Sequence, residues 1–462
     1  MTFMLAKRWI VCAGLPLALL GCQAQRPDVP GDIIHASGVE QAIVFREHAE
    51  PIDRIPLAGN SLTLDQAVRL ALIHDPRLQS SLAHLRMAEA DANQARLLPN
   101  PILTIDVRYP VSKEPNAAFE PTLTMDLVQL LEKPAQISAA DKRLRESASD
   151  ALTTALDLIN EVQQAYVTAR SIDAQMDNSQ RRQQILQQLR DLAQKRLDAG
   201  DATRLDVLTL DAQSMQATLD LSDLKLQRIE QRLNLAKLIG QPLADAQWKL
   251  SAWEAPADAT IAPESAWIDA ALKNRPEIQS KAWELAALGD DLSANGLSFL
   301  QGDAVGIHGE HDPNWRVGPT ITTPLPIFDW GQASQDKIHA QVVAARHDLA
   351  EQQLVVIQDV RLAYATYLES QKTLVEAQNK LLPLQTQQLE QSRQAYQTGD
   401  SDLTVLLLAE TDFDVTSSKI VDLQQRVSAA LFKLQRAAGG GGVADRIAAA
   451  NAATQPTTDQ AP

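Results

Sequence analysis

The sequence predicts a mainly α-helical chain with a small membrane β-barrel, built from two copies of a strand-strand-long-helix unit and closed only as a trimer. Three observations predict it. Ala71-Leu72-Ile73-His74-Asp75-Pro76-Arg77-Leu78-Gln79-Ser80 returns 200 residues later as Ala271-Leu272-Lys273-Asn274-Arg275-Pro276-Glu277-Ile278-Gln279-Ser280, and a period that long means two large units, not a solenoid. Residues 135–199 contain neither Gly nor Pro, enough for a continuous helix of about 98 Å. Four short segments alternate apolar and polar residues in pairs, one pair in each copy.

Taken in order, Lys7 and Arg8 precede an apolar stretch from Trp9 to Leu20, too short to span a bilayer and right for a signal peptide over 1–21. It ends in Leu19-Leu20-Gly21-Cys22, which resembles a bacterial lipobox and implies acylation of Cys22 with a fatty acid such as palmitate. Gln23 in place of Asp implies sorting to the outer membrane. Residues 22–60 then read as an acylated linker. Removing residues 1–21 takes the net charge from -16 to -18, because Lys7 and Arg8 are the only charges lost.

The first copy, 61–255, opens with a helix broken at Pro76. Leu103, Ile105, Val107 and Tyr109 alternate with Thr104, Asp106 and Arg108, and Leu123, Met125 and Leu127 with Thr122, Thr124 and Asp126. That is the period of strands with one apolar and one wet face. In the long helix Leu144, Ala151, Leu158, Ala165 and Ile172 recur every seven residues, interleaved with Ala148, Ala155, Val162, Ala169 and Met176, a coiled-coil seam whose alanines let helix axes approach closely. The second copy, 256–438, repeats the plan: Val305 and Ile307 against His308 and Glu310, then Trp315, Val317 and Ile321 against Arg316, Thr320 and Thr322. Its helix lacks Gly and Pro from 332 to 382, and a kink is expected at Pro383. Ala199-Gly200-Asp201 and Thr398-Gly399-Asp400 each open a stretch of 39 residues free of Gly and Pro. Residues 439–462 read as a flexible tail after four glycines.

Four strands cannot close a barrel, since open edges in hydrocarbon leave backbone groups unpaired at several kcal/mol each. Three copies supply twelve strands, the simplest even ring with an aqueous lumen. Tyr109, Phe119, Trp315, Phe328 and Trp330 fall at strand ends, where interfacial aromatics gather.

Composition excludes other classes. With 58 acidic against 42 basic residues and no basic tract, no nucleic-acid partner is expected. Both cysteines, Cys12 and Cys22, lie in the leader region, so no thiol chemistry is expected in the body. His308-Gly309-Glu310-His311-Asp312 gathers possible ligands, but it reads as a hairpin turn and is not a zinc-hydrolase motif. Neither enzyme activity nor a cofactor or metal is expected.

The chain resembles the TolC family of outer membrane factors from Leu64 to Ala438. The resemblance rests on the duplicated Ala71–Pro76 motif, on Leu98-Pro99-Asn100-Pro101, on Pro324-Leu325-Pro326-Ile327-Phe328-Asp329-Trp330-Gly331-Gln332, and on the turn from Gly200 to Gln213. It implies a homotrimer whose barrel continues as a helical periplasmic tunnel, anchored in outer membrane lipid. Gly200, Asp201, Gly399 and Asp400 would be the periplasmic tips where an adaptor protein docks, passing on solutes from an inner-membrane pump of the RND type. Family members carry carboxylate rings after the tip glycine. This chain has Asp206 and Asp211 in the first copy, but Thr404-Val405-Leu406-Leu407-Leu408-Ala409 in the second, leaving Asp402 beside Asp400 as a substitute. The Pro99-Asn100-Pro101 pattern is closer to the heavy-metal, CzcC-like branch than to the drug branch, so heavy-metal cations or drugs are the expected cargo. A lipid-anchored periplasmic coiled-coil scaffold and a duct for type I protein secretion are the competing readings.

Cys22→Ala is expected to abolish incorporation of labelled palmitate while the rest of the chain folds, checked by metabolic labelling; retained label would rule out acylation at this cysteine.

Overall fold

The computed structural model describes residues 24–41, 43–48, 61–109, 117–242, 248–252, 261–296, 302–311, 314–325 and 327–454. The signal peptide and the predicted acylation at Cys22 lie outside the described residues. In order the elements are α1 (Val29–Ser37), β1 (Ser61–Leu62), α2 (Leu64–His74), α3 (Pro76–Arg96), β2 (Ile102–Arg108), β3 (Ala118–Asp126), α4 (Leu127–Ala199) and α5 (Arg204–Leu238). The second copy follows with β4 (Lys249–Leu250), α6 (Glu264–Asn274), α7 (Pro276–Ala294), β5 (Ala304–His311), β6 (Trp315–Thr322), α8 (Gln332–Glu376), a π turn (Ala377–Leu381), α9 (Leu382–Thr398) and α10 (Leu403–Ala437), and α11 (Gly441–Thr454) closes the chain.

Two compact units cut across the repeat. One gathers 89–141 and 290–335 and holds β2, β3, β5 and β6; the other holds 27–88, 142–289 and 336–462. In the helical unit the seam read from the sequence is inside: all ten residues from Leu144 to Met176 at the seven-residue positions are buried. The prolines at 76 and 276 do what a missing N–H dictates. Each starts a new helix directly after its predecessor's cap at Asp75 or Arg275.

Four features differ from the sequence reading. First, α4 begins at Leu127 and runs through Pro134. Second, next to Pro383, where a kink is expected, the helix changes to a π turn: the Leu382 N–H bonds the Ala377 carbonyl, one residue further back than in an α-helix. Third, residues 439–454 are not a flexible tail. The glycines let α11 lie directly on the C-terminal carbonyls of α1, where a Cβ on Gly440 would come within 2.3 Å of Ala36 O and one on Gly442 within 2.5 Å of His35 O. Val29 and Ile33 are buried, so the segment 22–60, expected to be a linker, contains a packed helix. Fourth, β1 and β4 form a two-residue parallel pair that no alternation announces. Buried Tyr166 fixes it, its hydroxyl 2.8 Å from Leu62 O and 2.9 Å from Ser251 O, and burial pushes the phenol up to about 12.

A buried charge cluster ties the two copies together. Arg436, near the end of α10, donates to Asp157 of α4 at 2.7 Å and to Glu277 of α7, while Arg275 bonds Glu277 at 3.2 Å and Asp359 at 3.0 Å. Burial works to raise the Glu277 carboxyl, but the charges of Arg436 and Arg275 outweigh it and hold the group below its ordinary 4.5. A carboxylate with a lower pKa folded than unfolded stabilises the fold above its unfolded value and loses that contribution as pH falls through the folded one. Glu277→Gln is therefore expected to cost about 3 kcal/mol at neutral pH by removing the carboxylate that two buried guanidinium groups share, leaving each with one acid, Asp157 or Asp359. It should also flatten the loss of stability below pH 4.5, read from urea unfolding by circular dichroism at both pH values.

Candidate functional site

Among the described residues no helix is long and apolar enough to cross a membrane. The sheet has a different capacity. Its strands run in the order β2-β3-β5-β6, all antiparallel, and the register aligns their alternation: Leu103 faces Leu123, Leu123 faces Ile307, and Val305 faces Ile321. One face is therefore apolar across four strands and bare, with Leu103 61%, Val317 69% and Ile321 75% exposed. The other face carries Arg108 paired with buried Glu120 at 2.9 Å and Arg316 near Glu310 at 3.6 Å. At the hairpin end of the apolar face, Phe119 meets the Trp315 ring edge-on at 6.3 Å and His311 lies 5.1 Å from it. Edge strands β2 and β6 have no further partner among the described residues.

The segment expected to be a turn at His308–His311 belongs to β5 itself. Residues three apart on a strand point to opposite faces. His308 accordingly reaches Thr122 Oγ1 at 2.8 Å on the polar side, while His311 meets the Trp315 ring edge-on, so the two imidazoles cannot share a ligand.

The tips are built twice by one device. Gly200 and Gly399 both have φ +85°, a left-handed conformation. At the first, Asp201 N–H donates to Arg196 O at 2.8 Å and Gly200 N–H to Leu197 O at 3.0 Å; at the second, Asp400 N–H donates to Ala395 O at 2.9 Å and Gly399 N–H to Tyr396 O at 3.3 Å. These bonds close the last turn of each long helix. The five acids named from the sequence then separate. Asp206 completes a capping box with Thr203, Asp211 accepts from Arg190 at 2.9 Å, and Asp400 accepts from the Thr398 hydroxyl at 2.7 Å. Asp201 and Asp402 are exposed; Asp402 occupies the cap position of α10 without a side-chain cap bond.

Sequence reasoning missed the residues that hold the two tips together. Arg196 donates to Tyr396 O at 2.9 Å and to Asp201 O at 3.3 Å, and its guanidinium lies 4.8 Å from the Tyr396 ring centre. Around it Leu189, Ala193, Val207, Leu210, Leu389, Leu403 and Leu406 form one core shared by both hairpins. Burial raises the Tyr396 phenol. Nothing in a separation of 200 residues announces this contact.

Further along, α4 and α10 lie side by side. Arg182 pairs with Asp414 at 3.2 Å, Gln175 bonds Asp422 at 2.6 Å and Gln425 bonds Thr168 at 3.3 Å. The flanking helices carry bare apolar stripes instead: Leu205, Leu208, Met215, Leu219, Leu226, Ile229 and Leu233 on α5, and Leu354, Leu362, Leu368 and Val375 on α8.

Residues 67–241 and 267–440, one stretch in each copy, match the family described as outer membrane efflux protein. The pyoverdine export outer membrane protein OpmQ of Pseudomonas aeruginosa is 24% identical over 423 residues, covering 83% of this chain and 86% of OpmQ. Two solved structures share the fold. The outer-membrane channel OprN has a TM-score of 0.70 at 21% identity, over 82% of this chain and 90% of its own. The outer membrane protein VceC of Vibrio cholerae has a TM-score of 0.67 at 19% identity, over 82% and 96%.

Arg196→Ala removes two charge-assisted hydrogen bonds, the one to Asp201 long, and a cation–π contact, together about 2–3 kcal/mol. Amide hydrogen exchange over 396–403 is expected to speed up while exchange at Leu144–Met176 stays unchanged; equal rates at the tip would mean that Arg196 does not join the hairpins.

Proposed function

The chain belongs to the outer membrane efflux protein family, and we propose that three copies of it close one twelve-stranded barrel in the outer membrane and one helical wall in the periplasm. Its function is that of the family: an exit duct of a tripartite efflux system, through which small solutes leave passively. The observation that carries the trimer is the sheet with two open edges and a bare apolar face. In lipid the apolar face needs no cover, but the edges need partners, and only other copies offer strands of the same length and alternation. Acylated Cys22 would add a lipid anchor to the same membrane.

The tips at Gly200–Asp201 and Gly399–Asp400 are the docking site for a periplasmic adaptor, which joins the duct to an inner-membrane pump of the RND type. Both hairpins leave apolar side chains exposed just past the turn, Leu205 and Leu208 on one and Val405 and Leu408 on the other, as a protein partner requires. Of the constriction residues, Asp206 and Asp211 are bound within their own hairpin, so Asp402, with Asp201, supplies the carboxylates free to ring the opening. Cargo choice rests with the pump; heavy-metal cations and drugs both fit the duct, and the name of OpmQ adds pyoverdine to the range of the family.

A β-branched residue at φ +85° costs about 1–2 kcal/mol locally, and the Gly399 position is otherwise open, with only Arg196 Nη2 at 4.0 Å. In cells deleted for the chain, Gly399→Val is expected to fail to restore efflux although it reaches the membrane as trimer at wild-type amounts. Full restoration at equal expression would exclude adaptor docking at this tip.

A further inference from the structure

Within the helical unit α4, α8 and α10 leave a cavity of about 450 Å³ between them, inside the range of about 300–1,000 Å³ that holds a small molecule. Each helix gives it one face at helical spacing. On α4 that face runs from Tyr166 to Arg170, on α8 from Gln371 through Leu374 to Gln378 and Asn379 in the π turn, and α10 adds Gln424 and Gln425. The amides do not stand in for a missing core, because Tyr367, Leu374, Ile420, Leu423 and Val427 already pack α8 on α10 beside them. Among the described lining residues there is one charge, Arg170, and no Asp or Glu. That is unexpected in a chain of net charge -16. Arg170 is half-buried and has neither an ion pair nor a hydrogen bond among the described residues. The acids nearby are engaged elsewhere: Asp173, one turn along α4, is held by Arg228 and Arg232, and Asp422 on α10 accepts from Gln175.

We propose that this cavity binds a small organic carboxylate, with Arg170 on the carboxylate and the amides of Gln378, Asn379 and Gln424 on the polar remainder of the ligand. A guanidinium drawn partly out of water without a counter-charge is costly, and its planar fork matches a carboxylate with two parallel hydrogen bonds. No acid in the lining repels such a ligand. The side chains of Gln378, Asn379 and Gln424 have no hydrogen-bond partner among the described residues, and each amide offers both donors and an acceptor. Two of them stand on the π turn, an interruption of a kind that recurs at functional sites and that α4 does not carry. Inorganic phosphate would use the guanidinium alone, leaving the amides and the apolar wall at Leu374 and Val421 unmet. A ligand seated here touches α4 of the first copy and α8 and α10 of the second, so it stabilises the folded chain by mass action.

Calorimetric titration of the full chain in detergent tests the site, with sodium succinate as the probe and sodium phosphate and sodium chloride at the same ionic strength beside it. Succinate is expected to bind once per chain and to raise the thermal unfolding midpoint, whereas chloride does neither. Arg170→Gln is expected to weaken succinate by about tenfold, the contribution of one charge-assisted hydrogen bond. Gln378→Ala, which leaves Arg170 in place, is expected to weaken it by about threefold through the loss of one neutral hydrogen bond. Arg181→Gln is expected to bind as the wild type does, since Arg181 is exposed, bonds Asn178 and lies outside the cavity. Absence of succinate binding, or binding that neither Arg170→Gln nor Gln378→Ala weakens, overturns the proposal. So does an equal loss in Arg181→Gln, which would mean attraction to surface charge, and so does phosphate binding as tightly as succinate, which would mean a site for inorganic anions.

Discussion

The unpaired edges of the β2-β3-β5-β6 sheet set the terms for everything else in this chain. A backbone N–H or C=O without a partner is tolerable in water and costs several kcal/mol in hydrocarbon. A four-stranded sheet whose apolar face runs unbroken from Leu103 to Ile321 therefore belongs in lipid only as part of a closed ring. The same demand reaches the helices. Their apolar stripes on α5 and α8 are as bare in the single chain as the strand edges are.

Duplication makes this economical. One helical hairpin, capped at Gly200, and its copy, capped at Gly399, use the same turn geometry, the same length from cap to cap and the same direction of travel. The copies differ in the backbone at the π turn between α8 and α9, which α4 lacks, and otherwise chiefly in side chains. Arg275, Glu277 and Arg436 form a buried charged knot in the second copy, where the first has Asp75 and Arg77 on the corresponding break between helices. Through Asp157 the knot also reaches the first copy, where connectivity guarantees the partner.

The tip shows how far residue types can be read without geometry. Asp206, Asp211 and Asp402 have the composition of a carboxylate ring, yet a carboxylate next to a helix start has a competing use in capping the first turn, and Asp206 is engaged in that way with Thr203. Asp211 meets Arg190 across the hairpin, a contact that depends on which faces of α4 and α5 turn toward each other. Arg196 and Tyr396 carry no motif at all. They become neighbours because both hairpins bury leucines in one core, which leaves a guanidinium and a phenol ring stacked at its edge.

Periodicity and punctuation determined the long helices, the four strands, the capping glycines and the duplication, because each follows from local rules: alternation of two, a seam of seven, and the absence of Gly and Pro. Those rules act over a few residues and are written out in the chain. Only the tertiary structure decided the rest. The glycines at 439–442 read locally as a flexible joint, but Ala36 and His35 carbonyls lie where a Cβ would be, so they are a packing surface for α11. His308 and His311 read as one cluster until the strand turned them to opposite faces. The pairings of Arg196 with Tyr396 and Arg436 with Asp157 join residues 200 and 279 positions apart; such contacts are properties of helix faces brought together by burial, and no local pattern encodes them.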